Sequence, residues 1–381
     1  MTTDDDATAQ VAVADPRDSD AAPLTPVVRR LGVGSLVPRE GSFPRVLMAL
    51  ALIALGIYAL FGSPFIILIG QSCAVYAVAS MGQSLLMGGA GQIAISGGAF
   101  MAVGAFTTGM LVGTPLHAFP LPLIVSIVVG WIIGLVVGLP GLRFRGLYLL
   151  LASLALQFIV TAVTEQYEAD YHPAGLVIPP LTLGSLNLSA GKSLYVTLVI
   201  ILLLVCAFIW LIERTGVGLA WRALRESEVA AAISGVDVVR WKLYAFAASG
   251  AITAAAGCLF AYLVGIADYS AFDLTLSITL ITMVFIGGIR SRLGALVGAV
   301  AITALPYLLQ SDVPGWMNSL GLGAGWYTNN EAEVNAGLFS LLFLLVVLFE
   351  PRGIEGLLAK AESGTRHLVQ AVRRQKTQEA T

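Results

Sequence analysis

Charge is what this chain has least of. Asp, Glu, Lys and Arg supply 12% of its 381 residues while hydrophobic residues supply 57%, whereas soluble domains carry roughly a quarter charged residues. At a mean hydropathy of +0.86, too few polar side chains remain to cover a water-facing surface. That excludes an ordinary soluble globule and leaves lipid as the solvent for most of the chain. Cysteine is also scarce: Cys73, Cys206 and Cys258 each sit in the middle of an apolar run. This placement argues against a disulfide framework or a zinc site and for small apolar packing residues. Histidine occurs at His117, His172 and His367, outside the apolar runs, and those runs contain no Asp, Glu, Lys or Arg. Carriers driven by ion gradients usually keep such groups in the membrane as relays or ion ligands, so the energy for transport is expected to come from elsewhere. No Ser-His-Asp, HExxH or paired-cysteine constellation is present. Ala190-Gly191-Lys192-Ser193 imitates the end of a phosphate-binding loop, but Leu186 stands where that pattern needs its first glycine. No catalytic residue, metal site, cofactor or nucleic-acid partner is therefore expected of this chain.

Long apolar runs are what is present. A hydrocarbon layer about 30 Å thick takes roughly 20 apolar residues of helix. Candidate spans are Val46–Gly62, Pro64–Leu86, Ile93–Leu111, Leu121–Pro140, Leu147–Thr164, Leu194–Ile212, Leu243–Ile266, Leu274–Gly288, Gly294–Leu309 and Asn335–Leu348. Leu274–Gly288 and Asn335–Leu348 are short, and each is either shaped by its neighbours or less than a full crossing. The predicted fold class is an all-α polytopic membrane protein with about ten transmembrane helices. Charge distribution supplies the orientation. With the N-terminus cytoplasmic, inside segments hold Arg143, Arg145, Arg214, Arg222, Arg225, Arg240, Lys242, Arg290 and Arg292. The outside segments hold Lys192 and the acids Glu165, Glu168, Asp170, Asp268, Asp273, Asp312, Glu331 and Glu333. This is the positive-inside pattern, and it places both termini inside. Residues 1–45 read as a disordered acidic cytoplasmic tail, 46–350 as the transmembrane domain and 351–381 as a second cytoplasmic tail.

Small and polar residues pattern the spans. Gly130, Gly134 and Gly138 recur on one helical face, as do Gly294 and Gly298. Glycine lets helix backbones approach closely where lipid removes the apolar driving force between them. The segment Gly88 to Gly98 is too glycine-rich to hold a helix in water. It is either a flexible inside turn or, with Gln92 and Ser96, part of a gate or translocation path, since irregular backbone at membrane depth is tolerated where it lines a cavity. Two polar stripes, Ser153/Gln157/Thr161/Thr164 and Ser80/Gln83/Ser84, either bond across helices or line a path for a neutral zwitterion. The candidate path residues are thus Gln83, Gly91, Gln92, Ser96, Ser153, Gln157 and Thr161.

The inside loop 213–242 carries the densest signal. Leu219 to Ser234 is rich in good helix formers, with Gly235 placed to cap its end. Leu219, Ala223, Ala230 and Ile233 make a modest apolar face, with Arg222, Arg225, Glu226 and Glu228 on the polar side. An amphipathic helix here needs either the membrane surface or another protein against its apolar face.

The order Arg222-Ala-Leu-Arg225, Glu228-x-Ala230-Ala231, Gly235, Asp237 and Arg240-x-Lys242-Leu-x-Ala-Phe246 resembles the cytoplasmic loop of branched-chain amino acid ABC importer permeases. Gly88-Gly-Ala-Gly91-Gln92-Ile-Ala-Ile-Ser96-Gly97-Gly98 is similar to that family's glycine-glutamine signature. So are Arg145-Gly-Leu-Tyr148, Met283-Val-Phe-Ile-Gly287-Gly288 with Gly294 and Gly298, and Glu350-Pro351-Arg352-Gly353 to its later motifs. The resemblance covers about residues 65 to 357 and is strongest to the LivM-type subunit. It implies a pore-forming permease subunit, without its own ATPase site, in a multi-pass position in a bacterial inner membrane. It implies cytoplasmic ABC ATPase subunits that consume ATP and dock on the loop. It further implies a second, LivH-like permease and an extracytoplasmic solute-binding protein that meets the outside loops, chiefly Glu165–Ser193 and Gln310–Val334. The family's substrates are mainly leucine, isoleucine and valine. Alternative cargoes are urea or short amides, nucleosides and sugars, and an ion-coupled secondary transporter is the rival class.

Overall fold

In the computed structural model, residues 62–114, 117–141, 147–183, 186–188, 191–289 and 291–319 are described, with Gly56 and Gly337 as isolated positions. Both predicted tails lie outside these residues. So, almost wholly, do the expected first and last spans.

The described chain is helical where the apolar runs are. Helix α1, Pro64–Ser84, begins on Pro64, a residue preset for a first helical turn. It runs on into a π-helical turn, Leu85–Gly89. Then follow α2 (Gly97–Met110), α3 (Leu121–Gly141) and α4 (Leu147–Tyr171). Beyond them come α5 (Gly191–Arg214), α6 (Gly216–Glu226) and α7 (Glu228–Ile233). The order closes with α8 (Val238–Val264), α9 (Leu274–Gly287) and α10 (Arg292–Ser319). Short strands β1 (Leu176–Val177) and β4 (Ile266–Ala267) pair antiparallel, and β2 (Thr182–Leu183) pairs with β3 (Leu186–Asn187).

Among the described residues, five helices are long and apolar enough to cross a membrane: Pro64–Gly89, Leu121–Leu139, Leu149–Tyr171, Gly191–Arg214 and Val238–Val264. The protein is thus a polytopic, helical membrane protein. Burial separates the five. The apolar window of Val238–Val264 is 78% buried and that of Pro64–Gly89 67%, against 28% for each of the other three. Helices α1 and α8 are therefore the centre, and α3, α4 and α5 turn apolar side chains such as Val136, Val163 and Leu204 outward, as lipid contact requires.

Glycine sets the closest approaches. A Cβ on Gly134 would lie 2.7 Å from Ala247 Cα, one on Gly130 2.5 Å from Ala254 Cβ, and one on Gly138 2.6 Å from Leu243 Cδ1. The glycine face expected from the sequence is thus the seam between α3 and α8. Gly287, Gly294 and Gly298 do the same for α9 and α10, where any Cβ would overlap facing backbone.

One expected span is shorter than written. The run Ile93–Leu111 is helical only from Gly97, because Gly91 at φ +70° and the residues after it leave the helix. Helices α2 and α9 have 14 residues each, about 21 Å of rise against a hydrocarbon layer of about 30 Å. The fifth span extends further than expected, to Tyr171, so Glu165, Glu168 and Asp170 are helical residues. Gln310–Val334, the expected outside loop, is helical as far as Ser319, and the rest of it lies outside the described residues.

Candidate functional site

The break between α1 and α2 gathers most of the sequence-predicted residues. A helix end leaves backbone carbonyls without partners, and a helix start leaves N–H groups. In an apolar environment each such orphan is costly. Both ends of this break are tied by side chains from elsewhere in the chain.

On the α2 side the donors come first. Gly98 N donates to Ser277 Oγ at 2.7 Å, and Ala99 N to Gln157 Oε1 at 2.6 Å. Just upstream, Ile95 N donates to Ser153 Oγ at 2.9 Å. Gln157, roughly halfway along α4, has a fully used amide: Oε1 also accepts from Ser277 Oγ at 2.8 Å, while Nε2 donates to Phe272 O at 2.8 Å and to Thr161 Oγ1 at 3.3 Å. The start of α9 is closed separately, with the Asp273 carboxylate accepting from Leu276 N at 3.0 Å. Ser153, Gln157 and Ser277 are buried, so the stripe read from the sequence bonds across helices in this arrangement. Thr164, its last member, turns back to its own helix at Val160 O, 2.8 Å away.

The second stripe divides. Ser80 Oγ reaches Ala295 O on α10 at 3.1 Å. Gln83 is buried against Gly97, whose Cβ, if present, would lie 2.6 Å from Gln83 Nε2, and its Oε1 has no hydrogen-bond partner among the described residues. Gln92, past the π turn, keeps its backbone N on Leu86 O at 3.1 Å, but both atoms of its buried side-chain amide are without partners among the described residues. Ser96 is buried and its carbonyl accepts from Phe100 N at 3.1 Å. Buried, unpaired amides are rare in native proteins and call for a reason.

The π-turn end is tied by Arg225, whose Nη1 donates to Gly88 O at 2.6 Å. Loop 213–242 is two helices rather than one, a correction to the sequence reading. Ser227 is extended at φ −164° between them, and its side chain accepts from Ala230 N at 3.2 Å, so the serine caps a new helix start instead of continuing the old one. Helix α7 ends as expected at Gly235, at φ +83°. There Val236 N reaches Ala231 O and Gly235 N reaches Ala232 O, each at 3.0 Å, the paired bonds of a Schellman motif.

The helix pair has two apolar faces. Ala220, Trp221, Leu224 and Ala231 are buried, and Trp221 Nε1 donates to Trp241 O at 3.0 Å. Leu219, Val229 and Ile233 point outward, exposed by 70%, 63% and 83%; Ala230 is exposed and Ala223 half-buried. Helical spacing alone could not choose between the two faces; the bulky Trp221 was the available signal. Arg222 donates to Glu213 O at 3.3 Å and lies 3.7 Å from its carboxylate. Glu228 pairs with Lys242, Arg225 also reaches Glu226 at 3.4 Å, and the Asp237 carboxylate accepts from Arg240 N at 3.1 Å to start α8.

Sequence reasoning missed Ser277 and Glu168. Glu168 is buried, and its Oε2 accepts from Tyr269 N at 2.9 Å. Its place four residues after Thr164, on the polar stripe, was a signal that the charge count obscured. For Ser277 nothing in the sequence stood out. Gly191, from the false phosphate loop, instead opens α5 and accepts from Gln71 Nε2 at 2.6 Å. Among the described residues there is no cluster of side chains that could hold a metal ion.

The comparisons with known proteins agree with this architecture. The chain is 28% identical over 265 residues to the high-affinity branched-chain amino acid transport system permease protein LivM of Salmonella typhimurium, covering 62% of this chain and 61% of that protein. It is also 28% identical over 246 residues to a probable branched-chain amino acid transport permease protein LivH of Methanocaldococcus jannaschii, covering 62% and 74%. It is 28% identical over 291 residues to the fructose import permease protein FrcC of Rhizobium meliloti, covering 72% and 79%. The match thus spans less than two-thirds of the LivM relative's length. No solved structure matches the chain. The family described as branched-chain amino acid transport system / permease component matches residues 65–348, and the chain belongs to that family.

Proposed function

We propose that this chain is one permease half of an ABC importer for branched-chain amino acids, driven by ATP hydrolysis on a separate subunit. The observation that carries the reading is the helix pair α6–α7. Its own core residues, Trp221 and Leu224, hold it to the chain, while Leu219, Val229 and Ile233 are left exposed at the position where the sequence resembles an ATPase-docking loop. An exposed apolar cluster on such a projection is a protein-docking feature. On this reading the N- and C-termini are cytoplasmic, about ten helices cross the bilayer, and the membrane is a bacterial inner membrane. A LivH-like permease completes the pore, and a solute-binding protein delivers cargo to the opposite face, where β1 and β4 close the ends of α4 and α8.

The translocation path would run along the break between α1 and α2. Non-helical backbone at membrane depth is tolerated where it borders a cavity, and discontinuous helices are recurrent substrate sites in transporters. Gln83 and Gln92 carry amide atoms with no partner among the described residues, so a polar cargo passing them would gain hydrogen bonds that those residues do not supply. Ser153, Gln157 and Thr161 act as the frame that holds this path. ATP binding on the partner would shift the permease between two states by favouring one of them.

The test is uptake of labelled leucine by cells carrying the chain and its associated subunits, with unlabelled isoleucine, valine, fructose or urea as competitors. Competition by isoleucine and valine supports the reading. A sugar reading has one observation in its favour, the similarity to a fructose import permease over 72% of this chain. Competition by fructose alone would select it.

A further inference from the structure

Arg225 and Gly88 are 137 positions apart in the chain and are joined by a charge-assisted hydrogen bond of 2.6 Å. Gly88 lies in the π turn that ends α1, where carbonyls lack partners within the helix and where the helix dipole favours a cation. The arginine supplies both the cation and the donor. Contact extends beyond that bond. A Cβ on Gly91 would lie 3.1 Å from Arg225 Cγ and 3.2 Å from its Cα, so the α6 backbone itself rests on the break. A Cβ on Gly88 would overlap Ile289 O, so the π turn is wedged between α6 and the turn after α9. Among the described residues, Arg225 is thus the side-chain hydrogen-bond tie from the helix pair to the break, and it points inward, away from Leu219, Val229 and Ile233.

We propose that Arg225 is the positioning residue through which the docked ATPase acts on the translocation path: its guanidinium holds the Gly88 carbonyl, so that displacement of α6 moves the break between α1 and α2. This rests on the permease reading above. The helix pair is built to move as a unit. Trp221 is bonded to Trp241, and Glu228 is paired with Lys242, which joins α6, α7 and the start of α8. Force on the exposed apolar face reaches the break at Arg225. Just past the contact lies Gln92, whose buried amide atoms find no partner among the described residues, so rearranging this segment gives up no side-chain hydrogen bond of Gln92 to them. A second route, through Trp241 into α8, reaches the break by helix packing and does not use the Arg225–Gly88 bond. The two routes predict different consequences for an Arg225 substitution.

The experiment uses the full chain with the ATPase and second permease that co-purify with it, reconstituted in proteoliposomes and supplied with the solute-binding protein on the opposite face, with labelled leucine as the probe. The quantity read is leucine moved per ATP hydrolysed. Arg225→Met keeps the aliphatic stem against Gly91 and removes the donor. The ratio is expected to fall by at least about fivefold, the lower range of coupling between sites, and Arg225→Lys, which keeps one cationic donor, is expected to recover part of it. An unchanged ratio in Arg225→Met, or a proportional fall in hydrolysis and uptake, overturns the proposal. A second readout needs no variant: hydrogen exchange at residues 88–96 in the wild-type complex should change on vanadate trapping, and unchanged exchange there also overturns it. A wild-type complex that lacks ATP-dependent leucine movement overturns the permease reading itself. A wild type that transports, with the ratio indifferent to Arg225, removes only the Arg225 coupling.

Discussion

Gln157 Oε1 accepts a hydrogen bond from Ser277 Oγ at 2.8 Å, across 120 positions of sequence. Together these two side chains close the start of α2 to helices α4 and α9. Gln157→Leu removes the acceptor from Ala99 N and Ser277 and the donor from Phe272 O. Each buried group left unpaired costs about 1–3 kcal/mol, so with three such groups the variant is expected to lose at least about 3 kcal/mol. Thermal unfolding in detergent should show a clearly lowered midpoint. A midpoint equal to wild type would mean that the network carries no stability.

The seam between α3 and α8 gives a second prediction. Gly134→Leu places a Cβ 2.7 Å from Ala247 Cα with further atoms beyond it, and overpacking of this kind costs about 1–3 kcal/mol. Val136→Leu, on the 60% exposed outward face of the same helix, should leave stability within about 0.5 kcal/mol. Comparison of the two melting curves checks the assignment of faces, and equal destabilisation by both would contradict it.

The exposed cluster on α6–α7 gives a third. Ile233→Asp and Val229→Asp alter side chains that the chain itself does not bury, so folding should persist while ATPase co-purification and leucine uptake fall by at least about tenfold, as loss of an interface anchor does. Trp221→Ala should behave differently, lowering the yield of folded protein because the indole is part of the core. If both aspartate variants retain the ATPase and full uptake, docking lies elsewhere.

Two backbone-level variants probe the same loop. Gly235 stands at φ +83°, which proline cannot adopt, so Gly235→Pro should disrupt the turn between α7 and α8. Glu228→Lys replaces the partner of Lys242 with a like charge. Both are expected to abolish leucine uptake while leaving membrane insertion intact, read by fractionation and uptake in the same cells. Normal uptake by both would contradict the docking role of the loop.

Much of the fold was legible because the bilayer imposes it. Apolar runs of span length became helices, and the glycine spacing at 130, 134 and 138 became a seam, since period and small size determine both. What the sequence could not display is partner choice at long range. Nothing near Gln157 names Ser277 or Phe272, and nothing near Arg225 names Gly88. Helical spacing picked out the face of Leu219 and Ile233 but passed over Trp221 and Leu224, which are the residues that hold α6 to the core. The extended conformation of Ser227 split one predicted helix in two, because a serine that can cap a new helix competes with continuing the old one.

The central claim is transport powered by a separate ATPase, and reconstitution tests it most directly. The full chain with its co-purifying subunits would be placed in liposomes, with the solute-binding protein supplied on the face opposite the ATPase. Labelled leucine uptake would be measured with ATP on the side of the ATPase, without ATP, and with an imposed proton or sodium gradient. The account predicts uptake that requires ATP and ignores the gradients. Uptake by the chain alone, driven by an ion gradient and indifferent to ATP, would contradict it.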